Sequence, residues 1–144
     1  VVDDHTLSGA VANYDVNVTA YDEIMALIIG VTAASSSSRG LQVSVNGGGT
    51  FFSTLGDYQF VSSAGVPSNN TQLAFHGSAT TAARTGLIRL SALRATINPK
   101  IAITGDATDG VLNLFVGSST AITHIRYLTS TGNMSAGRMV TMGK

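Results

Sequence analysis

The chain has 144 residues, eight basic and eight acidic side chains, and no cysteine. Charged residues make up 11% of it and hydrophobic residues 44%, against roughly 25% charged in an average soluble domain. This balance speaks against the cationic stripe of a nucleic-acid binder, a disulfide scaffold or cysteine-based site, and a disordered chain, which combines high charge with low hydrophobicity.

Length alone favours one domain with a sizeable core. The longest apolar run, Ile24 to Val31, contains Gly30 and falls far short of the roughly 18 residues of a membrane-spanning helix. Neither membrane insertion nor a nucleic-acid partner is expected. Val1 stands where a start Met would and no signal-peptide pattern follows, so a piece of something longer is expected.

In chain order, residues 1–12 read as an N-terminal arm or linker and residues 13–144 as a single domain. Tyr14, Val16 and Val18 alternate with Asn13, Asp15, Asn17 and Thr19, the period of a half-buried strand. Tyr21 to Val31 fits either a helix or a strand; its β-branched residues and Gly30 favour a central, doubly buried strand. Ala33 to Arg39 carries four consecutive serines and reads as an exposed, flexible connection. In Gly40 to Asn46, Leu41, Val43 and Val45 alternate with polar residues, and Asn46-Gly47 supplies a hairpin turn, because both residue types tolerate positive φ. Tyr58 to Ser62 is a short strand. Gly65 to Thr71, with Pro67 and two asparagines, is a loop. Leu73 to Phe75, Gly86 to Leu93, Ile101 to Thr104, Val111 to Val116, Ile122 to Leu128 and Met139 to Met142 complete the set. About nine or ten short strands, punctuated by Gly, Ser, Thr and Asn, predict an all-β, antiparallel β-sandwich of jelly-roll type.

Catalytic chemistry finds no footing. His5, His76 and His124 are isolated, with no His-x-His or His-x-x-x-His pair to start a metal site. Gly-x-Ser-x-Gly is absent, and a nucleophile assembled from so many serines would be arbitrary. Asp22 and Glu23 are adjacent and would face opposite sides of a strand, so they do not form the facing carboxylates of a glycosidase. Asp57, Asp106 and Asp109 fall in turns, where Asp hydrogen-bonds locally. Gly105 to Gly110 lacks the alternating ligands and distal Glu of a calcium loop. Gly47-Gly48-Gly49-Thr50 is followed by Phe51-Phe52 and not by the Lys of a phosphate cradle. No catalytic residue, metal or cofactor is expected, and the chain does not read as an enzyme.

Arginines remain. Arg84, Arg89 and Arg94 surround one strand and are candidates for an interface or an anionic partner. Arg126 alternates with Tyr127 on another strand, one of them facing solvent or a neighbouring subunit. Phe51, Phe52, Tyr58 and Phe60 supply aromatic bulk beside the Asn46-Gly47 turn. Most of these aromatics are expected in the core, with Tyr58 and Tyr127 exposed.

Three blocks carry a resemblance. Gly40 to Phe60 (GLQVSVNGGGTFFSTLGDYQF) is similar to a strand, Asn/Asp-Gly-Gly turn, Thr-Phe and Gly-Asp-Tyr sequence of bacteriophage tail-fibre and virion surface modules. Ile122 to Gly143 (ITHIRYLTSTGNMSAGRMVTMG) resembles their closing strands. Val16 to Leu27 resembles their Tyr-Asp-Glu opening strand. The two methionines of the ending, Met139 and Met142, depart from the pattern. The resemblance implies a non-enzymatic virion structural module on a tail or capsid surface. It would be a homotrimer among other virion proteins, displaying loops to a host receptor or glycan. Arg39, Asn46, Tyr58, Asn69, Asn70, Asp106, Asp109 and Tyr127 would be the binding residues at the loop ends. A capsid decoration or head-fibre protein, and a bacterial carbohydrate-binding module, are the alternatives. Low charge fits any of them in one respect: Ser, Thr, Asn and Gly cost less to desolvate at a subunit contact than Lys and Glu.

Overall fold

The computed structural model describes residues 1–61, 67–75, 79–105 and 111–144. Among them the chain forms twelve strands: β1 (Asp3–Thr6), β2 (Asn13–Asn17), β3 (Ile24–Ala33), β4 (Arg39–Ser44), β5 (Tyr58–Val61), β6 (Pro67–Asn70), β7 (Leu73–Ala74), β8 (Arg84–Leu90), β9 (Lys100–Gly105), β10 (Val111–Phe115), β11 (His124–Thr129) and β12 (Met134–Gly143). A large sheet has the order β1-β12-β3-β8-β9-β10-β5-β6 and a small one β2-β11-β4-β7. Every ladder is antiparallel. From β1 to β5 each strand changes sheet, and the two chain ends pair with one another, β1 with β12 and β2 with β11. That nesting of early strands against late ones makes this an all-β sandwich of jelly-roll type.

The core lies between the sheets. Ile24, Ala26 and Ile28 of β3, Ile88 and Leu90 of β8 and Phe115 of β10 meet Val16 of β2, Leu41 and Val43 of β4 and Ile125 of β11. The period-two alternation read from the sequence sets these inward positions. Three polar side chains also cross the gap. Tyr127, on the small sheet, donates to the Val140 carbonyl at 3.1 Å and shares a 2.9 Å hydrogen bond with the Thr141 hydroxyl on the large one. Tyr58, on the large sheet, accepts from the Val43 amide at 2.9 Å and donates to the Phe52 carbonyl at 3.0 Å. The Asn113 amide accepts from Ala74 N at 3.0 Å and donates to Ala74 O at 3.2 Å, acting as a one-residue strand partner for β7. Buried polar groups are tolerated when they are satisfied in this way.

Several expectations are corrected. The N-terminal arm contains an edge strand: β1 pairs with β12 from Asp3↔Thr141 to Thr6↔Arg138, and Leu7 enters the core. The Pro67 loop contains β6, the other edge of the large sheet; at the first residue of an edge strand the missing proline N–H forfeits no ladder bond. The serine segment is not a free loop. Ser37 is buried and bridged to Thr80, and its amide donates to the Thr80 carbonyl. The Asn46-Gly47 turn does not close a hairpin, since β4 lies between β11 and β7 and the next strand belongs to the other sheet. The run at β3 is a central strand, but only one of its faces is covered. Ile24, Ala26 and Ile28 are buried, whereas Met25 and Leu27 are half-buried and Ile29 is exposed.

Candidate functional site

The segment between β4 and β5 folds back over the small sheet and encloses a cleft of about 260 Å³, lined by Val45, Asn46, Thr50–Thr54 and Asp57. Its shape follows from local chemistry. Gly47 and Gly48 hold φ of 74° and 83°, the left-handed region where glycine carries no Cβ penalty. The Asn46 carboxamide oxygen accepts from Thr50 N at 3.0 Å and from the Ser44 hydroxyl at 2.7 Å, while its nitrogen donates to Thr50 Oγ1 at 2.6 Å. Gly47 N donates to Thr123 Oγ1 at 3.0 Å, anchoring the turn to the start of β11. Gly48 lies against the His124 ring, where an added Cβ would sit 3.2 Å from the imidazole. At the far end Asp57 accepts from Thr54 N at 2.7 Å and closes a tight turn.

Phe51 and Phe52 divide between two environments because adjacent residues of an extended chain point to opposite sides. Phe52 faces inward, packing edge-on against Phe115 at 5.1 Å, and its amide donates to the Val43 carbonyl. Phe51 stays on the outside over β11. The Arg126 guanidinium lies 3.9 Å from its ring centroid, a cation–π contact. Arg126 is itself held by Asp15 in two parallel bonds of 2.7 and 2.8 Å. The hydrogen bond to Asp15, followed in importance by opposing burial, leaves the guanidinium pKa raised above its ordinary value. The result is an immobilised aromatic ring beside hydroxyls and a carboxylate: Phe51 with Thr50, Ser53, Thr54 and Asp57. That combination offers a stacking face plus short-range hydrogen bonds to a polar, uncharged ligand.

The structure sorts the sequence candidates. Asn46 lies in the cleft, as a staple of its wall. Asn69 and Asn70 lie on β6; the Asn70 carbonyl accepts from Gly56 N of the cleft segment, and the Asn69 amide sits beside Gly56. Tyr58 and Tyr127 were expected exposed and are instead 0% and 1% exposed. Each spans the sandwich to satisfy buried backbone, so neither ring can stack on a ligand, and burial raises both phenol pKa values. Arg39 was expected at a loop tip and is also buried. Its guanidinium donates to the carbonyls of Ser37, Thr80 and Ala82 at 2.9, 2.6 and 2.6 Å, lacing the serine segment to residues 80–82. Burial, and then Arg84 nearby, lower its pKa. Asp106 and Asp109 lie outside the described residues, as does His76.

The three clustered arginines do not act together. Arg89 is exposed and donates to Glu23 at 2.7 Å, whereas Arg84 lies close enough to Arg39 to influence it. Arg94 follows β8 in an exposed turn, its amide directed at Asp22. Phe51 was named in the sequence only as aromatic bulk. The Phe-Phe doublet after a glycine turn was the available signal, since one ring of such a pair must face outward. Among the described residues no cluster of three His, Asp or Glu side chains could hold a metal ion.

No family model matches the chain, and no curated protein matches it. Solved structures similar to it include scytalido-glutamic peptidase with a transition-state analog inhibitor. That match has 11% identity over 96% of this chain and 82% of that one, with a TM-score of 0.45. A tetrameric galectin from the ball sponge Cinachyrella sp. has 10% identity over 91% and 98%, with a TM-score of 0.43. Caenorhabditis elegans galectin LEC-6 has 8% identity over 95% of each chain, with a TM-score of 0.44. At these identities and TM-scores neither a function nor a residue role is carried over from these proteins.

Proposed function

We propose that the chain is a non-enzymatic structural module of a bacteriophage virion, a tail-fibre or appendage module that attaches to a host-surface glycan or receptor. The three sequence blocks that resemble virion surface modules support the setting. The observation that carries the binding role is the cleft between β4 and β5. It presents Phe51, fixed by Arg126 and Asp15, beside the hydroxyls of Thr50, Ser53 and Thr54. A pyranose ring offers an apolar face to an aromatic and hydroxyls to short polar side chains, so a neutral saccharide suits this surface better than a charged ligand. A bacterial surface-polysaccharide array tests the reading. Saccharide retention by the purified chain, lost on Phe51→Ala, is expected; an array with no retained glycan contradicts it.

A second reading, a capsid decoration or head-fibre protein, is favoured by a different observation. The outward face of the large sheet carries apolar side chains, which suits protein contacts more than display. Binding to isolated capsids without binding to host cells selects that reading.

A further inference from the structure

The two outer faces of the sandwich differ in kind. On the small sheet the outward positions of β2 and β11 are Asn13, Asp15 and Asn17, and His124, Arg126 and Leu128, a mostly polar set that befits a face turned to water. On the large sheet the outward positions are Arg138, Val140 and Met142 of β12, Met25, Leu27 and Ile29 of β3, and Thr85, Leu87 and Arg89 of β8, so the apolar side chains form the middle of the face and the two arginines its ends. They form cross-strand rows, Met142 beside Met25 and Val140–Leu27–Leu87 abreast. An antiparallel sheet with one wet face shows polar residues at such positions, and contiguous apolar patches of this kind mark interaction sites. A groove of about 150 Å³ between Met25 and Met142 continues the patch to the end of the sheet.

We propose that this face is the contact between two copies of the chain, packed sheet against sheet about a twofold axis. Charge complementarity argues for a second copy, and the apolar rows supply the centre of the contact. The apolar rows cover three adjacent strands at about 4.8 Å spacing and about 25 Å in length, on the order of 350 Å², the size of the apolar centre of an interface of roughly 800 Å² per partner whose rim is polar. Ion pairs flank the patch at diagonal corners, Glu23–Arg89 at one and Asp4–Arg138 at the other. Each corner carries both signs. A twofold axis lying in the interface sets one copy's Glu23–Arg89 against the other's Asp4–Arg138, with no like-charge excess on either side. An anionic membrane or nucleic acid is a poorer occupant, because both flanking arginines are already neutralised by carboxylates. The proposal is independent of what the β4–β5 cleft binds, and it differs from the trimer implied by the sequence resemblance, since a self-complementary face closes as a pair.

Sedimentation equilibrium across micromolar concentrations tests it. The wild-type chain is expected at twice the monomer mass. Leu27→Lys is expected at the monomer mass with an unchanged circular dichroism spectrum, and Asn17→Lys, on the opposite face, is expected to stay paired. A wild-type monomer, a threefold mass, or a pair that survives Leu27→Lys overturns the proposal, as does a chain that associates only with a different virion protein. A measurement on the unaltered protein stands beside it in case Leu27→Lys does not fold. Peroxide oxidation of Met25 and Met142 is expected to slow several-fold as the protein is concentrated, and rates independent of concentration overturn the proposal.

Discussion

At the scale of single residues, this sandwich uses polar side chains as internal ties. The Tyr58 hydroxyl serves two backbone groups, Val43 N and Phe52 O, that no neighbouring strand supplies. Tyr58→Phe leaves both without that partner in a dry interior, and we expect a loss of about 1–3 kcal/mol, read as a lowered midpoint of urea unfolding with an unchanged slope. Asp4 and Glu23 behave differently, being exposed. Hydrogen bonds from Arg138 and Arg89 are the largest cause of pKa values held below the ordinary 3.8 and 4.5. A carboxyl whose folded pKa is depressed binds fewer protons folded than unfolded, so its contribution is present above the unfolded value and lost as pH falls through the folded one. Thermal stability is therefore expected to decline below about pH 4.5, and Glu23→Gln should flatten that decline slightly; an identical acid limb in the variant contradicts the assignment. The roles of these residues differed in legibility. Tyr58 and Tyr127 looked like surface aromatics because a tyrosine in an alternating strand carries no mark of which sheet it faces. Arg39 looked like a loop tip because its partners are carbonyls from residues 37 and 80–82, which sequence does not bring together.

At the scale of elements, alternation was enough to find most strands, and the shortest ones were missed. Asp3–Thr6 is too polar to read as a strand, and it pairs because β12 offers it an edge and Leu7 carries it into the core. Pro67–Asn70 hides behind residues typical of turns. The most constrained spot in the long ladder is the bulge between β12 and β3, where the register shifts around Gly137. Gly137 has φ of 109°, and a Cβ there would lie 2.6 Å from Val31 Cα. Backbone cannot yield as a side chain can, so Gly137→Ala is expected to cost about 2–4 kcal/mol from overpacking and left-handed strain together. A thermal melt within a degree or two of wild type would show that the bulge relaxes. The loop from Asn46 to Asp57 was legible as a turn, because Asn-Gly-Gly can adopt positive φ. Its destination was not, because hairpin closure depends on which sheet the next strand joins.

At the scale of the molecule, the apolar outward positions gain a location. They are not spread evenly: the small sheet faces outward mainly with Asn, Asp, His and Arg, whereas the large sheet sets Met, Leu, Ile and Val between the ion pairs Glu23–Arg89 and Asp4–Arg138. The composition alone suggested contact with neighbouring subunits, and the proposed pairing uses the large-sheet face and not the β4–β5 cleft. Attachment through that cleft is the central claim, and one measurement addresses it most directly. Binding isotherms on immobilised bacterial surface polysaccharide are compared for the wild-type chain and Phe51→Ala. Phe51 is half-buried on the outside of the small sheet, so its loss is expected to leave the melting temperature nearly unchanged while weakening binding at least about tenfold, as the removal of a stacking contact of about 1.4 kcal/mol or more requires. Equal binding by the two proteins, or none by either, would contradict the account.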